Sequence, residues 1–366
     1  MNSFNLQEKA QMFQLEGTYL DGTSYGSGHI NDTFLIRCTL EDGSIKKYIL
    51  QRMNHNIFLH PDQLMENIVG VTQFLRKKII ANGGDPERET MNLVPTKDSG
   101  CYCHDQDGYW RVYQFIEGAA TYDQVESPED FYETAVAFGH FQRLLADYPA
   151  ETLHETIVDF HNTPKRLQRL KEAVQADTMG RAKEVQEEIN FALAREKDTH
   201  VLLDLLKEGK LPLRVTHNDT KLNNIMIDNQ TKKAICVIDL DTVMPGFSVT
   251  DFGDSIRFGA STGAEDEPDL SKVWLSLELF ELYTKGFLAG CNGSLTETEL
   301  DMLPMGAKMM TLECGIRFLT DYLEGDTYFK VSRPGHNLDR TRTQFKLVAD
   351  MERHWDEMKA IVAKYR

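Results

Sequence analysis

Residues 214–260 read RVTHNDTKLNNIMIDNQTKKAICVIDLDTVMPGFSVTDFGDSIRFGA, and the order of polar groups in this stretch decides the fold. A turn carries His217, Asp219 and Asn224. An apolar run, Ala234 to Ile238, then ends in the carboxylate of Asp239, with Asp241 close behind, and a DFGD element supplies Asp251 and Asp254. An aspartate and an asparagine in one loop, followed by an aspartate at a strand end, suit magnesium-assisted phosphoryl transfer. Asp219 would orient the attacking hydroxyl and accept its proton, and Asn224 and Asp239 would bind Mg²⁺. Mg²⁺ favours hard oxygen ligands and takes few from protein, because phosphates and water supply the rest. Single aspartates at turns and strand ends also serve as caps or solvated loop residues. The ordered set of Asp219, Asn224 and Asp239 sets these apart.

The spacing from His217-Asn218-Asp219 to Asn224 is that of the kinase loop H-R-D-x-x-x-x-N, with Asn in place of Arg. It resembles the aminoglycoside phosphotransferase and choline kinase superfamily, whose members share the protein-kinase-like fold. THNDTKLNNI (216–225), IDLDT (238–242), MPG (244–246), DFGDSIRFGAST (251–262), YGSGHIN (25–31) and ECGIRFLTDYLEGD (313–326) resemble the N-acetylhexosamine 1-kinase family more closely. The resemblance covers nearly the whole chain. It implies ATP- and Mg²⁺-dependent phosphorylation of N-acetylglucosamine or N-acetylgalactosamine (or a related disaccharide) at the anomeric hydroxyl. It also implies His29, Arg317 and Tyr328 as sugar contacts beside Asp219. From the residues alone, Arg317 has an alternative role, pairing with Glu313 or Asp321 at helical spacing, and Tyr328 one as a core aromatic. A kinase of another hydroxyl compound, such as an aminoglycoside or choline, and a nucleotide- or sugar-binding protein without turnover are the rival readings.

Upstream, Gly26 and Gly28 precede the strand-like run Thr33–Arg37, and glycines there let backbone amides approach phosphates. Glu41–Ser44 is a hairpin turn, and the chain returns through Lys47–Met53. Kinases carry a phosphate-gripping lysine on that returning strand, and Gln51 stands in its place. The N-acetylhexosamine 1-kinases look unusual here too, so the group that neutralises the phosphates stays open. Arg52 lies on the opposite strand face. After the aromatic strand Gly108–Ile116, chain order makes Phe115, Ile116 and Glu117 the adenine-binding segment.

Helical spacing marks 3–15 and Asp62–Lys78, with Leu64, Ile68, Val71 and Leu75 on one face of the latter. Ser127-Pro128-Glu129-Asp130 and Thr163-Pro164 open further helices. After a polar loop to Asp269, helices are predicted at Ser271–Leu288, Thr296–Leu303, Met305–Leu323 and Asn337–Tyr365. The expected architecture is α+β and two-lobed: a nucleotide-binding lobe with a small antiparallel sheet over 1–117, and a mostly helical catalytic and sugar-binding lobe over 118–366.

A chain of 366 residues with 41% hydrophobic and 27% charged residues is long enough for two cores. A net charge of −17 argues against a nucleic-acid partner. The start lacks the charged-then-apolar layout of a signal peptide, and no run approaches a membrane span of about 18 apolar residues. A cytoplasmic protein is expected, with no membrane partner. The 6 cysteines show no paired framework, and Cys101-Tyr102-Cys103-His104 lacks a second ligand pair for zinc.

Overall fold

Alternation in the N-terminal strands builds a five-stranded antiparallel sheet. Its order is β1-β2-β3-β5-β4, where β1 is Thr18–Ser24, β2 Asp32–Thr39, β3 Ile45–Met53, β4 Cys103–Asp105 and β5 Gly108–Gln114. Every second residue turns to one face. Ile36 and Cys38, Tyr48 and Leu50, and Trp110 and Val112 therefore meet in one core, closed by Ala10 and Phe13 beside helix α1 (Leu6–Gln11). The opposite face carries Gln51 and Arg111, which are register partners on β3 and β5. Helix α2 (Pro61–Ala81) contributes Met65, whose sulfur lies 3.9 Å from the Arg111 guanidinium. The strand β1 was not predicted, because TYLDGTS has little apolar alternation; its burial is correspondingly shallow.

The computed structural model describes residues 4–26, 30–122 and 127–366. Gly28 and His29, both expected at the site, lie outside the described residues. The described chain is a mixed α/β protein, with its antiparallel sheet in the N-terminal region and a helical C-terminal part. Contacts divide it into two units. The first comprises Met1–Ala120, Glu151–Val158 and Met226–Met244. The second comprises Thr121–Ala150, Asp159–Ile225 and Pro245–Arg366. Asp239 thus belongs to the first unit, and Asp219, Asn224, Arg317 and Tyr328 to the second.

The second unit is built on close helix crossings. Helix Pro128–Leu144 begins, as its sequence predicts, with a capping box between Ser127 and Asp130. It meets helix Leu277–Cys291 at Gly139 and Gly290, where an added Cβ would strike the other helix's backbone. Helix Ser248–Gly259 presses on the long helix Glu297–Glu324 in the same way, through Gly253 and Gly306. The helix expected from Ser271 begins at Leu277, the one expected over 3–15 spans Leu6–Gln11, and two helix breaks also differ from expectation. The predicted break near Pro304 is absent: a single helix runs through it, and Leu303, Pro304, Gly306 and Ala307 are all buried. Packing outweighs the lost backbone hydrogen bond there. The predicted Asn337–Tyr365 helix is two, His336–Arg353 and Trp355–Lys364, separated at His354.

Candidate active site

The catalytic loop is shaped by a carboxylate that faces inward. Strand Arg214–Thr216 ends at His217, and the chain turns through Asn218 at φ 64°, a left-handed conformation. Asn tolerates that conformation far better than Arg, which accounts for the residue that stands between His217 and Asp219. Asp251 fixes the turn. Its Oδ2 accepts from the His217 N–H at 2.8 Å and from Gln142 Nε2 at 2.8 Å, and its Oδ1 accepts from the Asn218 N–H at 2.8 Å. Burial pushes the Asp251 carboxyl above its ordinary pKa, against the pull of His217 and these donors. Asp254 takes the next N–H, from Thr220 at 3.2 Å, and pairs with Arg257 at 3.1 Å. Burial works against that carboxylate as well, but Arg257, Lys221 and His161 outweigh it and lower its pKa. The DFGD element is therefore the loop's internal frame.

Asp219 emerges from this frame half exposed. Asn224 Nδ2 donates to its main-chain oxygen at 2.8 Å and to Oδ2 at 3.1 Å, while Lys221 Nζ lies 2.7 Å from Oδ1. Burial disfavours the Lys221 ammonium, yet Asp219 and Asp254 more than offset this and raise its pKa. Sequence reasoning missed Lys221, although it sits inside the quoted loop. Because the Asn224 amide nitrogen is spent on Asp219, its Oδ1 is left as a hard oxygen donor.

The acceptor candidates lie on the long helix and just beyond it. Glu313 is fully buried, 2.8 Å from His161 Nδ1 and 2.7 Å from the Thr163 hydroxyl. Burial opposes its carboxylate, but His161, Arg317 and Thr163 hold its pKa below the ordinary range. Asp321 accepts from the main-chain N–H groups of Thr327, Tyr328 and Phe329 and from Asn337 Nδ2. Neither carboxylate hydrogen-bonds Arg317. Its guanidinium instead lies 5.7, 5.8 and 5.4 Å from the rings of Phe160, Tyr328 and Phe329. Tyr328 is 70% exposed and so is no core aromatic. Arg317 and Tyr328 line one cleft with Arg166, Arg169, Asp321 and Glu324. Arg169 is engaged by Glu324 at 2.9 Å. Burial, and then the charge of Arg317, lower the pKa of Arg166, the mark of two cations placed together.

In the first unit, Gly26 has φ 78° with open space about its Cα, as a phosphate-approaching turn requires. Tyr25 beside it packs edge-on to Phe115 at 6.0 Å. Phe115 in turn has Lys47 over its ring at 5.0 Å, and Lys47 pairs with Glu117 at 3.1 Å. Ile116 is buried and Glu117 exposed. Asp239 follows strand Ala234–Val237 as an exposed residue in left-handed backbone, φ 59° and ψ 63°. Its carboxylate is a hard-oxygen group of the kind Mg²⁺ prefers. Among the described residues, no group of three or more His, Cys, Asp or Glu is arranged as a metal site, Cys101 and Cys103 included. No helix of the described residues is long and apolar enough to cross a membrane.

These features are those of a phosphotransferase with a kinase-like fold. The chain belongs to the phosphotransferase enzyme family known as APH, whose model matches residues 21–279. Solved structures share the fold. A microcompartment-associated aminopropanol kinase aligns with a TM-score of 0.64 at 16% identity, covering 97% of this chain and 98% of its own. An aminoglycoside phosphotransferase from Alicyclobacillus acidocaldarius aligns at 0.60 and 13% identity, covering 100% and 98%. The amicoumacin kinase hAmiN, in complex with AMP-PNP, Ca²⁺ and Ami, aligns at 0.57 and 11% identity, covering 95% and 94%.

Proposed function

We propose that the protein transfers the γ-phosphoryl group of ATP to the anomeric hydroxyl of an N-acetylhexosamine, N-acetylglucosamine or N-acetylgalactosamine. The observation that carries the choice of acceptor is the Arg317 cleft. An arginine left unpaired by its neighbouring carboxylates, with Arg166 beside it and aromatic faces around it, suits a neutral, oxygen-rich ring with an amide carbonyl. The same cleft opposes an ammonium-bearing acceptor such as choline or an aminoglycoside, since Asp321 and Glu324 are already engaged.

Asp219 orients the acceptor hydroxyl and takes its proton, Lys221 adds positive charge beside it, and Asn224 fixes its direction. Asn224 Oδ1 and Asp239 are the residues to hold Mg²⁺, which when bound neutralises and orients the nucleotide phosphates. Gly26, Phe115, Ile116 and Glu117 serve the nucleotide; the same reading assigns it Gly28, and gives His29 to the sugar. Because phosphoryl transfer passes through a loose transition state, positioning and charge contribute more than proton removal.

An acceptor panel read by ADP release tests this. N-acetylglucosamine and N-acetylgalactosamine should turn over, and choline, ethanolamine and kanamycin should not. Turnover confined to the amines would overturn the assignment, and MgATP binding without ADP release on any acceptor would favour a binding protein.

A further inference from the structure

The strand position at which kinases carry a phosphate-gripping lysine is Gln51, yet a cation stands directly opposite it, on β5. Arg111 is 1% exposed, and its guanidinium donates to Gln51 Oε1 from Nε at 3.0 Å and from Nη2 at 2.8 Å. Nη2 also lies 2.6 Å from Asp241 Oδ1. Asn31 Nδ2 donates to the other Asp241 oxygen at 2.6 Å, and Asn31 Oδ1 accepts the Asn54 N–H at 2.9 Å. Gln51 Nε2 closes the set on the Thr33 hydroxyl at 3.1 Å. Asn67 of α2 holds the same turn from its far end, donating to the Val243 carbonyl at 3.1 Å. Every one of these groups is in the first unit. Arg111 and Asn31 meet directly on Asp241 in the turn Leu240–Thr242 that begins at Asp239, and the other groups hold those two or the residue after the turn.

Nε and Nη2 of this arginine are spent on an amide and a carboxylate, Nη1 faces the Met65 sulfur at 3.9 Å, and burial to 1% exposure keeps the guanidinium from a second anion. Its position instead determines where Asp241 sits, and through the short turn where Asp239 sits. Asp239 sits in left-handed backbone, φ 59°, a conformation that aspartate tolerates better than most residues. We propose that Arg111 and Asn31 are positioning residues that clamp Asp241, so that the turn presents Asp239 to the nucleotide-bound divalent cation, and that the chain uses this clamp where other kinases use a lysine on β3. This rests on the reading of Asp239 as a metal ligand. Asn31 immediately precedes β2, so the Asp241 carboxylate ties the start of that strand to the metal turn.

Calorimetric titration of ADP into the full chain, with Mg²⁺ and separately with EDTA, tests the clamp without relying on turnover. Arg111→Gln and Asp241→Asn should each weaken binding of ADP with Mg²⁺ by about tenfold or more, and of metal-free ADP by less than about twofold. Since both act through one contact, the double variant should be no worse than the poorer single one. Asn31→Ala removes two hydrogen bonds, to Asp241 and from the Asn54 N–H, at a partly exposed residue and should reproduce the effect in smaller measure, which keeps the test available if Arg111→Gln does not fold. Equal weakening with and without metal, or additive losses in the double variant, would make Arg111 a direct phosphate contact and overturn the clamp. Asp239→Ala separates the two readings. If it leaves the Mg²⁺ effect intact, the metal assignment itself falls. If it abolishes that effect while the clamp variants keep it, only the clamp falls.

Discussion

Asp251 and Asp219 divide the work of the catalytic loop between an inward and an outward carboxylate. Asp251 offers two oxygens to two main-chain N–H groups and an amide. Asparagine in its place has one acceptor oxygen, so a buried N–H would face an NH₂. Asp251→Asn should therefore cost about 1–3 kcal/mol of stability and lower kcat along with it, which chemical denaturation and steady-state kinetics would show; unchanged stability would remove Asp251 from the frame. Asp219→Asn should leave the fold and ATP binding intact and reduce kcat by about a hundredfold or more. Arg317→Ala should raise KM for the sugar far more than for ATP, with an unchanged circular dichroism spectrum. Lost stability without a selective sugar effect would return Arg317 to a structural role. At this scale local spacing made one thing readable, that Asp219 and Asn224 share a loop, where the Asn224 amide donates to Asp219. Lys221 went unread because its ammonium direction is set by two carboxylates. Arg111 went unread because only the strand register places it against Gln51.

The helices that frame the loop are held at backbone distance by glycine. Gly253 sits between Asp251 and Asp254, and a Cβ on it would fall on the Gly306 carbonyl. Gly253→Ala should push helix Ser248–Gly259 off the long helix, destabilise the protein by about 1–3 kcal/mol, and depress kcat without a matching change in ATP affinity. A thermal melt with parallel kinetics reads both, and a neutral substitution would show that the crossing yields freely. Helix starts were legible from local capping chemistry, as at Ser127. The continuous helix through Pro304 and the break at His354 were not, because neighbours packed on the helix, rather than local propensity, decide them.

Across the molecule, buried carboxylates set the response to acid. Glu299 is nearly fully buried; burial raises its pKa, but Arg214, the Thr296 N–H and the Ser248 hydroxyl hold it below the ordinary range. Asp254 and Glu313 are depressed likewise. Each depressed group stabilises the fold above its unfolded pKa of about 4. That contribution is lost as pH falls through the lower folded value, where protons must be forced onto the native state. Asp251, raised instead, favours the folded form as pH falls and offsets part of the loss. The melting temperature should therefore be level near neutrality and drop below about pH 4.5. Glu299→Gln should be less stable at neutral pH and show a shallower acid decline. Curves running parallel to wild type would take Glu299 out of this account.

The central claim is that the hydroxyl phosphorylated is the anomeric one of an N-acetylhexosamine. That hydroxyl is more acidic than the ring alcohols, which eases the transfer of its proton to Asp219. The most direct measurement is the ³¹P NMR spectrum of the product formed from N-acetylglucosamine and MgATP, with the 1-O-methyl glycoside run alongside. The account predicts an acid-labile ester whose phosphorus couples to the anomeric proton, and a methyl glycoside that competes with the free sugar without consuming ATP. Coupling to the C6 protons, or turnover of the methyl glycoside, would contradict it.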